Sequence, residues 1–388
     1  MNVIILGNGF DLAHGLETKY TDFIRFCTNF LEQNDKSQYD DIFRDKFYNL
    51  ISSNLWYLIF SRILHFKGII SDYSNVINDT WIDFEILLYD ILCQFDNEII
   101  DFLNDPLYTA RAKISLKSIL HECINNFYKA DKNWASGCLL GIVNVSGIYG
   151  KNYIKREKNH DFYEIMYKEL RNFTQAFEIY CSYIIDNEIN AVKNIELNSN
   201  FIQHIQKDHT EDIYVISFNY TPTFNKLYEK SFIKQNINTK FNYIYIHGKA
   251  TDIINNRHNS TKLVLGTQNI EMKYNTDEVF DKFQKFDQRH DYSTMRVFQE
   301  FLRKLENKSI NNNIYIVGHS LGITDIEMLQ NIFDTNLDYI ITIFYYTNYS
   351  RDKFKRIIKR IYDKKVVDSR FNFINLYDNE YGILRKIE

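Results

Sequence analysis

Four short segments set polar side chains or glycine turns directly behind apolar runs: GNGFD (residues 7–11), SFNYT (217–221), His247-Gly248 and GHSLG (318–322). Paired glycines let a backbone turn approach a phosphate closely, and a helix opening there offers its first N–H groups. Asn219 can orient a water or a sugar hydroxyl, and His247 can exchange a proton near neutral pH. GHSLG also fits G-x-S-x-G, the elbow that presents a nucleophilic serine. That chemistry needs an acid and then a histidine downstream of the serine, whereas the last histidine of the chain is His319. A serine hydrolase would have to recruit an upstream histidine such as His247 or His290. The better fit for this turn is phosphate or ribose binding by its amides and the Ser320 hydroxyl, with Asp325 in the first turn of a following helix.

These groups need a framework that brings them to one edge. Val3 to Leu6 reads as a buried strand running straight into its glycine turn. Similar runs return late in the chain, at residues 213–217, 243–246, 263–265, 314–317 and 339–344. Helical patterns at 294–305 and 325–333 alternate with the later runs, which predicts a parallel sheet flanked by helices. Between Thr21 and His209 the pattern is amphipathic and helical, as in Trp81, Phe84, Leu88, Ile91 and Phe95, with a glycine-rich loop expected at 137–150. The first strand can then find parallel partners only in the C-terminal half. The expected architecture is an α/β fold: a Rossmann-like parallel sheet from residues 1–20 plus 210–388, with an all-helical insertion of residues 21–209. Ligands of such sheets bind outside the carboxyl ends of the strands, where the four segments fall.

Composition narrows the function classes. The 388 residues are 45% hydrophobic and 25% charged, a globular balance that rules out disordered and fibrous chains. Only 2 prolines interrupt the sequence, while 29 tyrosines and 30 phenylalanines stock its cores. A net charge of -4 argues against nucleic-acid binding through the overall field of the molecule. The cysteines (Cys27, Cys93, Cys123, Cys138, Cys181) include no C-x-x-C pair, so no zinc module or redox pair is expected, and buried reduced thiols fit a cytoplasmic location. The opening MNVIILGNGF lacks the basic start and apolar length of a signal peptide or anchor, and no stretch nears the ~18 apolar residues of a spanning helix. Charge is nevertheless patchy. Residues 351–365 hold eight Lys or Arg against two Asp, with Phe354, Ile357, Ile358 and Ile361 at helical spacing. That segment is either a surface helix covering the last strands or a nucleic-acid contact resting on Lys355, Arg356 and Lys359.

Taken together, GNGFDLAHGLETKY, SFNYT, IHG and GHSLGITD resemble the AbiH family of bacterial phage abortive-infection proteins. WIDFE (81–85) also looks like a feature of that family. The sequence leaves open whether Trp81, Asp83 and Glu85 serve a site or one face of an ordinary helix. The resemblance implies phage defence by an activity held silent until infection, with the helical insertion sensing a phage-derived trigger or mediating homo-oligomerisation.

More distantly, the same segments are similar to sirtuin-like NAD-binding domains. Gly7, Gly9, Ala13, Gly15 and Leu16 fit the frame of their first loop, with Asp11 and His14 where that loop carries serines. Asn219 and His247 stand where those domains carry a catalytic Asn and His. Gly318, Ser320, Leu321 and Asp325 match the ending G-Y/H-S-L-x-x-x-D of their defence branch. Thr221 departs from the Asp found there, and Phe218 from Gln. The resemblance implies NAD or a related nucleotide as ligand or substrate, no zinc, and NAD-glycohydrolase-like cleavage of an N-glycosidic bond. Asn219 would position and His247 deprotonate; Gly7, Asn8, Gly9, Gly15, Gly318, His319 and Ser320 would cradle the diphosphate. Asp11 would face a ribose hydroxyl, with Thr221, Gly248 and Asp325 completing the contacts. The competing readings are a nucleic-acid-acting toxin using the basic C-terminal helix and, as a minor one, a serine hydrolase using GHSLG.

Overall fold

The computed structural model describes residues 2–33, 37–65, 85–92, 156–192, 205, 212–230, 239–254, 261–267, 278–306, 313–322, 325–335 and 338–377. The chain divides into two compact units, one of residues 1–18, 181–251 and 289–388, the other of residues 19–180 and 252–288. Its strands are β1 (Asn2–Leu6), β2 (Asp212–Ser217), β3 (Lys240–Tyr245), β4 (Asn313–Val317), β5 (Ile340–Tyr345) and β6 (Phe371–Asn375). Its helices are α1 (Asn8–Ala13), α2 (Tyr20–Glu32), α3 (Asp41–Ile51), α4 (Leu55–His65), α5 (Arg156–Ile179), α6 (Asp186–Val192), α7 (Thr223–Leu227), α8 (Glu278–Asp281), α9 (Lys285–Asp291), α10 (Thr294–Glu306), α11 (Ile326–Thr335), α12 (Asn348–Ile361) and α13 (Lys364–Arg370).

All six strands belong to the first unit and pair in parallel in the order β3-β2-β1-β4-β5-β6. β1 lies inside the sheet because NVIIL is mostly branched and apolar, and every residue of it is buried. β3 and β6, whose sequences KFNYIY and FNFIN mix polar and apolar side chains, take the edges and are only half-buried. The strand sequence runs outward from β1 to β3, then β4 returns to the other side of β1. The order therefore reverses between β1 and β4. Leu6 aligns with Ser217 on one side and with Val317 on the other, so the turns after β1, β2 and β4 leave the sheet at one level. Phe298 and Phe301 of α10, Leu329 and Ile332 of α11, Phe354 and Ile358 of α12 and Val367 of α13 close a core against the sheet. A Thr347–Ser350 capping box opens α12, and Asp363 caps α13 by accepting from the Val366 N–H.

The second unit is helical and aromatic. Phe23 of α2 meets Phe47 of α3 and Phe173 and Phe177 of α5, while Phe30, Phe43 and Phe47 form a further edge-on and stacked group. Here the plentiful aromatic residues of the sequence do their packing. Among the described residues, no helix is long and apolar enough to cross a membrane. Cys27 and Cys181 are buried and form no disulfide among the described residues; the other three cysteines fall outside them.

One expected strand is absent. Leu263 to Leu265 is buried and apolar but pairs with no strand among the described residues. Side chains serve its backbone instead: the Gln288 amide both donates to the Leu265 carbonyl and accepts from its N–H, and Arg171 donates to Leu263 O. In the other direction, β6 was not anticipated. The glycine-rich segment 137–150 and Trp81, Asp83, Phe84 and Phe95 fall outside the described residues, whereas Leu88 and Ile91 lie buried in a helical stretch, 85–92.

Candidate active site at the carboxyl edge of the sheet

Two glycine turns meet at the strand reversal. The Gly9 N–H donates to the Gly318 carbonyl (2.8 Å), and the Gly7 N–H to that of Val317 (3.0 Å). Gly318 has φ +67°, and a Cβ there would stand 2.0 Å from the Phe10 nitrogen; a Cβ on Gly9 would lie 2.7 Å from the Gly318 oxygen. Only glycine permits this approach. The glycines therefore serve close packing of one turn on the other, and the Gly9 amide is committed to protein. Asn8 faces Thr18, accepting from its hydroxyl (2.7 Å), and Gly15 ends α1 with φ +74°. His14 donates from Nδ1 to the Phe10 carbonyl (2.7 Å) and accepts at Nε2 from the Tyr228 hydroxyl (2.8 Å). Burial lowers its pKa, consistent with a neutral ring in that role.

Behind β2, residues 217–221 divide the chemistry in two. Phe218 and Tyr220 turn to His247, with ring centroids 5.6 and 6.0 Å away, whereas Asn219 and Thr221 turn to Asp11. The Ser217 hydroxyl pins this turn by accepting from the Asn219 N–H and donating to its carbonyl (both 3.1 Å). The sirtuin-like resemblance gives Asn219 and His247 parts in one reaction; their side-chain contacts lie in neighbouring clusters.

Asp11 is the centre of the first cluster. It is 1% exposed and accepts at Oδ2 from Thr221 Oγ1, which in turn accepts from Thr223 Oγ1 (3.0 Å). Burial pushes its carboxyl up to about 6, against the lowering effect of Thr221, Thr223 and the Asn219 amide. Asp11 Oδ1 and Asn219 Oδ1 are both buried and accept from no described group. The space they share with Thr221, Thr223, Tyr243 and Tyr245 is too narrow to admit a water molecule.

The second cluster gathers two imidazoles and a guanidinium around a carboxylate. Asp325 Oδ1 lies 3.4 Å from His247 Nε2 and 3.5 Å from Arg289 Nη2, and Oδ2 lies 3.8 Å from His319 Nε2. Asp325 is 14% exposed and its three partners are almost wholly buried. His319 Nδ1 accepts from the Leu321 N–H (3.0 Å), so a neutral ring carries its proton on Nε2, facing Asp325. Leu321 takes φ +51°, a left-handed conformation costing a branched residue ~1–2 kcal/mol. The edge of Phe218 packs on His319 at 4.4 Å. Arg289 was not singled out in the sequence. It sits at the end of α9, with neither a motif nor a strand-end position to mark it.

The remaining sequence candidates fall elsewhere. Gly248 closes the turn after β3 with φ +83°, and Ser320 is exposed. Among the described residues, no histidine hydrogen-bonds Ser320, so a serine triad is not assembled there. Glu85 belongs to the second unit, where it forms a buried ion pair with Lys285. No group of three or more His, Cys, Asp or Glu among the described residues is set to hold a metal ion.

A family model described as "Bacteriophage abortive infection AbiH" matches residues 3–346. That stretch contains both clusters and β1 through β5. No curated protein matches the chain.

Proposed function

Because the chain belongs to the AbiH family of bacteriophage abortive-infection proteins, its role is phage defence, and we propose that it acts by cleaving the N-glycosidic bond of NAD or a related nucleotide. The observation that carries this reading is the pair of polar clusters at one sheet edge, beside the strand reversal. The order β3-β2-β1-β4-β5-β6 is the one in which doubly wound sheets bind dinucleotides, at that reversal. A second observation agrees with it. The carboxylate that sirtuin-like domains carry at the position of Thr221, and the hydroxyl they carry at that of Asp11, have changed places here, and the two side chains are hydrogen-bonded.

Hydrolysis breaks the bond between the ribose carbon and the base nitrogen, and the bonding pair leaves with the base. The sugar passes through an oxocarbenium-like state that water then captures. His247, its ring fixed against Asp325, takes the proton lost by that water. Arg289 and His319 hold Asp325 in turn, an orienting arrangement of the kind catalytic histidines rely on. Asn219 and Asp11 supply acceptor oxygens for the ribose hydroxyls, and the residues around Gly318–Ser320 face the phosphates. Since the pocket beside Asp11 is closed to water, this reading requires the edge to open when the nucleotide binds.

The test is release of free base from NAD by purified protein under activating conditions, in wild type, His247→Ala and Asn219→Ala. Loss of release in both variants, with folding intact, supports the roles. Equal release in all three would remove them, and none from an activated wild type would remove the reaction.

A further inference from the structure

The basic C-terminal segment lies outside both clusters, and the structure resolves which of its charges are free to act. The run breaks between α12 and α13, at Tyr362 and Asp363. On α12, Phe354 and Ile358 are buried in the sheet core. Two further cations are engaged by neighbouring side chains: Lys355 lies over the Phe373 ring (5.2 Å), and Arg351 lies over Tyr345 (5.7 Å) and pairs with Asp352 (3.1 Å). At ~100° per residue, Tyr349, Lys353, Arg356 and Arg360 fall within one arc of roughly 60°, a stripe about 16 Å long. Tyr349 is 74% exposed and Tyr346, just before the helix, 59%. Arg356 and Arg360 are exposed and Lys353 half-exposed.

We propose that this stripe is a docking site for an unpaired nucleic-acid strand, separate from the sheet-edge site. Cations repeating along a helix face suit a phosphate backbone, and solvent-exposed tyrosine rings beside them suit stacking with unpaired bases. The same chemistry argues against a membrane surface. Amphipathic helices that bind lipid bury their apolar face in the bilayer, and here Phe354 and Ile358 are already committed to the core. A duplex hides the faces of its bases, so it would leave the tyrosines unused.

The test measures fluorescence anisotropy of the full chain with a labelled RNA longer than the ~4–16 nucleotides such sites occupy. DNA of the same sequence, the duplex and anionic vesicles serve as parallel arms. Binding of a single strand, RNA or DNA, should weaken between about 50 and 200 mM salt, with a log–log slope near −2 for three contacts at ~0.7 each. Replacing Lys353, Arg356 and Arg360 together by Gln should weaken it at least tenfold and flatten the slope. Tyr349→Ala should weaken single-strand binding about fivefold or more and change duplex binding little. These side chains are largely exposed, so an unchanged melting temperature controls for folding, and Asn219→Ala should bind as wild type. The proposal is overturned by absence of binding, by an unaltered triple variant, by tighter binding of duplex or vesicles, or by loss in Asn219→Ala. Base release does not enter this test, so it stands or fails apart from the glycohydrolase reading.

Discussion

Asp11 and Asp325 lie at the same edge of one sheet and have opposite surroundings. Asp11 is packed among hydroxyls, an amide and two tyrosines in a space closed to water, with no cation from the described residues among its contacts; its carboxyl is pushed up to about 6. Asp325 is partly exposed and faces Arg289, His247 and His319. Two carboxyls so differently placed are suited to different tasks, one to hold a proton near neutral pH and one to anchor an imidazole. The turn that divides Phe218 and Tyr220 from Asn219 and Thr221 keeps the clusters distinct. The two glycine turns keep them at one level.

The severest way to break this arrangement is to separate those turns. Gly318→Ala meets both a left-handed φ and a backbone nitrogen 2.0 Å from its new Cβ. We expect a loss of about 4 kcal/mol or more, or failure to fold. Gly15→Ala is the control: its φ is +74°, but nothing lies within 4 Å of the added carbon, so strain alone should cost ~1 kcal/mol. Urea unfolding of the two variants separates contact from conformation. Equal losses would mean that the turns do not depend on their close approach.

Next in size is the divergence of the two carboxyls in activity. In the proposed reaction, Asp325→Asn should lower base release by about 10²–10⁴-fold by freeing the His247 ring, whereas Asp11→Asn should lower it by at most about tenfold. Steady-state rates on folded variants decide this, and a reversed ranking would exchange the roles assigned to the clusters.

In stability the order is the opposite. A folded-state value of about 6 against 3.8 for the free side chain means that ionising Asp11 opposes folding. The penalty is absent below pH 3.8, grows as pH rises, and is complete above about 6. Asp11→Asn removes it, so the variant should gain up to roughly 3 kcal/mol at pH 8, at 1.36 kcal/mol for each pH unit, and nothing near pH 3.5. Chemical denaturation across that range is the measurement; a gain independent of pH would show that titration of Asp11 is not its source.

Much of this framework was legible in the sequence. β1, β2, β4 and β5 are short, branched, apolar runs ending in small or polar turns, so composition and position agreed. Leu263 to Leu265 carries the same signal without being a strand, because the Gln288 side chain satisfies the backbone of Leu265 as a neighbouring strand would, and local sequence cannot reveal so distant a partner. β6 escaped notice for the converse reason: Asn372 and Asn375 dilute its pattern where an edge strand can leave polar groups exposed. Motif spacing pointed to Asp11, Asn219, His247 and Asp325 but not to their partition, which depends on the direction of alternate side chains after β2. Arg289 carried no signal at all, since only the fold brings the end of α9 to Asp325.

The finest probe of the contrast is Thr221→Val. The Thr221 hydroxyl is the group that bonds Asp11 Oδ2, and it lowers the carboxyl against the larger effect of burial. Removing it should raise the Asp11 value above about 6 and leave Thr223 Oγ1 without its acceptor. Above pH 6 the variant should lose ~1 kcal/mol, and the fall of stability with pH should extend to higher pH than in wild type. Near pH 3.5, where Asp11 is protonated in both folded and unfolded chains, only the smaller loss of a neutral hydrogen bond remains. Combining Thr221→Val with Asp11→Asn supplies the cycle. If the hydroxyl acts through the carboxylate, the pH-dependent part of its cost disappears in the double variant; if that part persists, Thr221 supports the turn after β2 directly and the Asp11 cluster is less of a unit than its hydrogen bonds indicate.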